Sequence, residues 1–252
     1  MVLLQELVRY TNELLDIQNF RDYCPNGLQV QGNNEVQTII SGVTASQAFL
    51  DAAIDAGANA LLVHHGYFWS GEDPCVVGMK RQRLGRLIAA NVSLLAYHLP
   101  LDAHPDYGNN VQLARLLGFN VQGSFGRAPG DSLGLHGSLS IDMDAEMLAQ
   151  HIHTTLGREP MHIPGGANPI RTIAWCTGAA QSYIEQAVNL GVDAFVSGEI
   201  SEQTVHVARE AGIHYFAAGH HATERYGVQA LGGHLAHQFG VEHRFVDIDN
   251  PV

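Results

Sequence analysis

Apolar positions along the chain follow two rhythms. Leu3, Leu7, Leu14 and Leu15 recur at helical spacing and predict an amphipathic helix over 3–15. After a turn-rich segment, 22–32, short apolar runs take over and predict strands over 38–41, 60–63 and 93–97. Helical patterns over 46–56, 80–90 and about 110–117 separate or follow them. A bounded run such as Ala60-Leu61-Leu62-Val63 reads as a strand buried on both faces, and strands alternating with helices predict a mainly parallel sheet. Asn26-Gly27 suits a tight turn into a short strand, 28–30, as in an ordinary hairpin.

The pattern then repeats. Ile39-Ile40-Ser41-Gly42, the run from Asp55 through Val63 and the run from Ala89 through Ala96 have counterparts in Trp175-Cys176-Thr177-Gly178, the run from Asn189 through Ser197 and the run from Glu210 through Ala217. Both copies read strand, helix, Gly-containing turn, strand, helix, strand. The expected fold is therefore α/β with two related lobes, mixed sheets flanked by helices. Residues 123–131, rich in Gly and Pro, are the expected linker, so the lobes are drawn at 1–126 and 127–252. A strand over 133–141, a helix capped by Asp142 or Asp144, a helix from about Thr223 to Phe239 and a strand over 243–248 complete the second half. The last helix and strand are candidates to pack back on the first lobe.

Composition narrows the classes. A formal charge of −12 argues against a general nucleic-acid or anionic-membrane binder, since phosphate affinity comes from Lys and Arg. Three scattered cysteines without a CxxC pair fit reduced thiols in a cytoplasmic protein, and neither a signal peptide nor a membrane-spanning run is evident. Fifteen histidines lean toward metal, because neutral imidazole is the commonest metal ligand.

Three strand ends carry that chemistry: His64 and His65 before Gly66, His98 with Asp102, and His220 with Glu224. Placed in register, His65 falls on Glu199, and the loop of His98 and Asp102 falls on the loop of His220 and Glu224. His220 and Glu224 stand four apart and share a helix face, with His221 pointing elsewhere. Taken singly, each residue is as well explained as a hydrogen-bonded histidine, a loop aspartate or a helix-terminus glutamate. Together they offer more ligands than one tetrahedral ion needs, whereas two ions bridged by a carboxylate would use them all. No HExxH or GxxxxGK(S/T) phosphate loop is present, which sets aside zincin and P-loop readings.

Asn26-Gly27-Leu28-Gln29-Val30, His64-His65-Gly66, His98 with Asp102, and Gly219-His220-His221-Ala222-Thr223-Glu224 together resemble the NIF-three-like family, whose bacterial members are known as GTP cyclohydrolase I type 2 homologues. The resemblance spans nearly the whole chain and fits the compact form. It implies a two-lobed fold with a metal site in the cleft between lobes, a homohexamer ring and two divalent ions per subunit (iron, zinc or manganese). The implied ligands are His64, His65, Asp102, His220 and Glu224, with Glu224 bridging and His98 close by. The reaction this suggests is hydrolysis by a metal-bound hydroxide, GTP cyclohydrolase-like, with His98, His221 or Glu199 nearest for proton transfer. Two other readings stay open: a non-catalytic oligomer stabilised by its metals, and a two-iron redox enzyme.

Overall fold

The computed structural model of the protein describes residues 1–126, 132–166 and 169–252. It comprises two units, Met1–Gly108 with Gly227–Asp249, and Asn109–Tyr226 with Asn250–Val252. Among the described residues no helix is long and apolar enough to cross a membrane.

In the first unit a five-stranded sheet has the order Glu242–Phe245, Thr38–Thr44, Ala60–His65, Ser93–Ala96, Gly27–Val30. The first four strands run parallel and the last antiparallel. Because side chains alternate along a strand, its apolar runs divide between two cores. Ile39, Ala60, Leu62 and Leu95 join the core that holds the helix Leu4–Leu14, whereas Ile40, Leu61, Val63 and Leu94 join the one that holds the helix Gln47–Asp55. Both faces are covered, which is why these strands read as continuous apolar runs rather than alternating ones. Ser46 caps the second helix by accepting from the Phe49 amide. The Asn26-Gly27 turn does not close a hairpin. Gly27–Val30 pairs with Ser93–Ala96, a partner far along the chain.

The second unit repeats the plan. Its six-stranded sheet has the order Phe119–Phe125, Gly134–Met143, Ile170–Cys176, Ala194–Ser197, His214–Ala217, Met161–Ile163. Ile173, Trp175, Ala194, Val196 and Phe216 face one core, and Ala174, Cys176, Phe195 and Tyr215 the other. The helix Ala145–Leu156 begins at Asp144, whose side chain accepts from the Met147 amide, so of the two expected caps it is Asp144 that serves.

Strand registers test the repeat residue by residue. Ile39 lies opposite Ala60 and Ala60 opposite Ser93, while Ile173 lies opposite Ala194 and Ala194 opposite His214. The counterpart of Ile39 is therefore Ile173, two residues earlier than the sequence match to Trp175; the later strands keep the matched register. A shared turn confirms the correspondence. Asn59 Oδ1 accepts the amides of Gln37 and Thr38 at 2.9 and 3.0 Å, and Asp193 Oδ2 accepts those of Arg171 and Thr172, both at 2.9 Å.

Asp193 also receives the Thr172 hydroxyl at 2.8 Å. Burial raises its pKa, but these donors and the nearby Arg171 charge outweigh it and hold the carboxyl below its ordinary 3.8. A depressed folded pKa contributes stability that is present above the ordinary value and lost as pH falls through the folded one. Asp193→Ala is expected to cost about 2 kcal/mol at neutral pH, because three donors lose a charged acceptor. Asp193→Asn should flatten the loss of stability below about pH 4 in urea melts; an acid limb identical to wild type would refute the assignment.

The chain leaves the first unit at Gly108, earlier than the expected boundary at Gly126. Glycine marks a bulge there, not a linker. Phe119–Phe125 pairs antiparallel with Gly134–Met143, the register shifts between Val121 and Gly123, and a Cβ on Gly123 would meet His136 Nε2 at 2.6 Å. Of the expected linker, residues 127–131 lie outside the described residues. The last helix, His220–Phe239, starts at His220 rather than Thr223; its residues from Gly227, and the strand Glu242–Phe245, belong to the first unit.

Candidate metal centre

Sequence places His64 and His65 at a strand end, and the strand Ala60–His65 runs through both. Their rings do not splay apart: the centroids are 4.6 Å from one another. His64 is fully buried, and its Nδ1–H donates to the Tyr97 carbonyl at 2.9 Å. That bond fixes the tautomer and turns Nε2 toward Asp102, whose Oδ1 is 3.5 Å away. His65 is held through Nδ1 by the Thr44 hydroxyl at 3.1 Å. Asp102 sits in the short helix Leu99–Ala103, which has Pro100 in its first turn; the Asp102 amide donates to the His98 carbonyl at 3.1 Å.

His98 completes a trio. One ring nitrogen from each of His64, His65 and His98 lies within 4.8 Å of the others. The His98 Nδ1–H donates to Asp22 Oδ1 at 2.7 Å, and the His98 amide to Asn26 Oδ1 at 2.7 Å. Asp22, Cys24 and His98 also cluster, but this group is a bracket rather than a metal site. Both Asp22 oxygens are engaged, Oδ1 by the Tyr23 amide and His98, Oδ2 by Asn26 and the Leu99 amide. Burial works against the Asp22 charge, yet His98 and these donors outweigh it and hold its pKa down. Burial and the Asp22 charge push the Cys24 thiol up to about 12, which leaves a poor ligand.

In the second unit the final helix presents His220 and Glu224 on one face, His220 Nε2 being 3.1 Å from Glu224 Oε2. The His220 Nδ1–H donates to Glu199 Oε1 at 2.7 Å. Burial disfavours the imidazolium, but hydrogen bonds and charge from Glu224 and then Glu199 overcome that and raise its pKa to about 9. Glu224 is itself buried, and a buried carboxylate needs a cation or strong donors to be tolerated. Gly178, at φ +67°, lies against it; a methyl group there would overlap Glu224 Oε1 and come within 3.2 Å of His220 Nε2.

The residues fit a divalent transition metal on donor chemistry alone. Each unit sets imidazole nitrogens beside a buried carboxylate, a mixture suited to zinc, iron or manganese. These His, Asp and Glu groups are ones that could hold a metal ion.

A family model described as Duf34/NIF3 (NGG1p interacting factor 3) matches residues 2–251. The chain belongs to this family. Within Duf34/NIF3 it is 58% identical over 251 residues to a GTP cyclohydrolase 1 type 2 homolog of Pseudomonas aeruginosa, covering 100% of this chain and 99% of that one. The solved structure of protein ybgI, described as of unknown function, matches with a TM-score of 0.96 at 49% identity, and TTHA1606 from Thermus thermophilus with 0.89 at 33%. Both matches cover 100% of either chain.

Several roles in this Duf34/NIF3 chain escape a reading of the sequence. Asp22 orients His98, and Glu199, named above for proton transfer, orients His220. Asn26 and Gln29 give the Asn-Gly-Leu-Gln motif its structural purpose. Gln29 Oε1 accepts the Tyr67 amide at 2.7 Å, and its Nε2 donates to the carbonyls of Pro25 and Tyr67 at 2.8 and 3.1 Å. That clamp ties down the loop that follows His65. His221, set apart from His220 by helix geometry, gives its amide to the Val252 carbonyl at 3.0 Å.

Proposed function

We propose that this Duf34/NIF3 protein is a metal-dependent hydrolase in which His64, His65, Asp102, His220 and Glu224 hold two divalent cations, Glu224 bridging them. The observation that carries the reading is the anchoring of the histidines. His64, His65, His98 and His220 are each held through Nδ1, by a carbonyl, a hydroxyl and two carboxylates, so that Nε2 is the nitrogen turned away from the anchor. Structural histidines have no reason to share that orientation, whereas metal-binding ones need it. When bound, two such cations supply Lewis acidity that activates water and steadies a leaving oxygen.

The chain's own residues do the rest. Glu199 and the Tyr97 carbonyl keep His220 and His64 in the required tautomer. Asp22 fixes the His98 ring, and His98 Nε2 is the atom we assign to carry a proton to or from the substrate. GTP is the first substrate to test, following the name of the Pseudomonas relative; with a net charge of −12 its phosphates depend on the bound cations for compensation. Plasma mass spectrometry of untagged protein should find about two ions per chain, as a two-metal hydrolase requires. The reading fails if reconstitution with iron, zinc or manganese leaves none.

Gly178 offers a second check. Gly178→Ala is expected to push the Glu224 carboxylate aside and weaken metal binding at least about tenfold, in line with the loss of a supporting contact. The left-handed backbone adds a stability cost of only about 1–2 kcal/mol. Metal titration by calorimetry beside thermal melts separates the two effects, and an unchanged affinity would show that Gly178 does not shape the site.

A further inference from the structure

Two exposed or partly exposed aromatic residues, Trp69 and Tyr23, crowd the rim of the His65 and His98 cluster, with Phe68 next to Trp69 in the chain, and the chemistry described so far uses none of them. The Trp69 ring lies 5.1 Å from the His98 ring at 83° and 6.0 Å from that of His65. The Tyr23 ring lies 6.4 Å from His98 at 61°, with Tyr23 65% exposed. Phe68, 37% exposed, holds φ at +66°, a region that bulky residues avoid unless the surroundings enforce it.

The rim is built, not left over. The Ser70 amide donates to the Tyr23 carbonyl at 2.6 Å and joins the two aromatic loops. The Trp69 amide donates to Glu72 Oε2 at 3.0 Å; Glu72 in turn pairs with Lys80 at 3.0 Å, and the Lys80 ammonium stands 5.3 Å from the Phe68 ring. Several contacts thus hold large apolar side chains where water reaches them. Such an arrangement marks a binding surface.

Resting on the metal-hydrolase reading above, we propose that Trp69 and Tyr23 bind a planar heteroaromatic ring of the substrate and bring it alongside His98. Flat rings stack on exposed aromatic faces whatever their exact substituents, and the contact sits beside the nitrogen assigned to proton transfer. Two side chains make a patch matched to one ring, far below the area of roughly 800 Å² per partner that a stable protein contact needs.

Guanosine and ribose 5-phosphate are the probes, titrated into metal-loaded full-length protein while tryptophan emission is followed. Trp175 is fully buried and supplies a constant background. Guanosine should quench saturably and ribose 5-phosphate should not, and Trp69→Phe should lose the quench while still binding guanosine. In equilibrium dialysis Trp69→Ala should weaken guanosine binding by about 5- to 150-fold, the range for one lost base stack, with metal content unchanged. Three outcomes overturn the proposal: no saturable quench by guanosine, an undiminished affinity in Trp69→Ala, or a shift in oligomer size on Trp69→Ala by light scattering, which would make the rim a contact between copies. Loss of metal from Trp69→Ala would likewise overturn it, because the residue would then only support the donors. Absence of metal from the wild type would instead defeat the hydrolase reading, so the two failures are distinguishable.

Discussion

Glu224→Ala should yield a folded protein that holds no metal and turns over no substrate. Glu224 is the one residue assigned to both cations, so its removal takes a ligand from each, and its carboxylate is buried against His220 Nε2 at 3.1 Å. Loss of even a supporting contact to a metal ligand weakens binding about 10- to 100-fold, and loss of a shared ligand must exceed that. The fold should survive, since removing a buried charge also removes its desolvation cost. Linkage gives an independent readout. A cation at a hundred times its Kd stabilises the wild type by about 2.7 kcal/mol, and Glu224→Ala should show no such gain in thermal melts. Glu224→Gln, which keeps the volume and loses the charge, should behave likewise. Retention of a full complement of ions by either variant would remove Glu224 from the site, and turnover without metal would end the hydrolase reading.

How much of this was legible beforehand depended on whether a residue's partner was near in sequence. Ala60 to Val63 announces a buried strand by itself, because a strand covered on both faces needs apolar side chains at every position. Asn26-Gly27 does not announce its pairing, because a glycine turn looks the same whether the next strand folds back locally or crosses to Ser93–Ala96. The repeat was visible in its Gly-containing turns, yet its first strand slipped by two residues, as apolar runs of like composition can without penalty until registers fix them. Among the site residues, His64, His65, Asp102, His220 and Glu224 stood out as donor types beside strand ends. Asp22 and Gly178 did not, and Glu199 stood out only as the register counterpart of His65 and a candidate for proton transfer. An aspartate in a turn, a glutamate in a loop and a glycine after a strand are ordinary at the sequence level, and only geometry shows that they aim His98, aim His220 and leave space for Glu224.

Trp175→Ala should be the most damaging single change to stability. The side chain is fully buried in the core that contains Phe119, whose ring is 5.2 Å away, and its indole N–H donates to the Asn110 carbonyl at 3.0 Å. Truncating such a residue costs about 3–5 kcal/mol in lost burial and cavity, and the Asn110 carbonyl loses a buried donor besides. Trp175→Phe keeps most of the apolar contact and should cost only about 1–2 kcal/mol. The consequence reaches the metal donors through the backbone. Asn110 Oδ1 accepts the Thr177 amide at 3.0 Å, and the next residue, Gly178, donates its amide to Thr223 Oγ1 at 3.1 Å and packs on Glu224. Loosening Asn110 therefore frees the turn that leaves Glu224 its space, and Trp175→Ala should lose metal affinity together with stability, unlike Glu224→Ala, which loses affinity alone. Urea unfolding beside metal titration tests both halves. A loss of less than about 1.5 kcal/mol would contradict the burial argument, since that is no more than deleting a single buried methyl group costs; a destabilised variant with wild-type metal affinity would cut the link from Trp175 to Gly178.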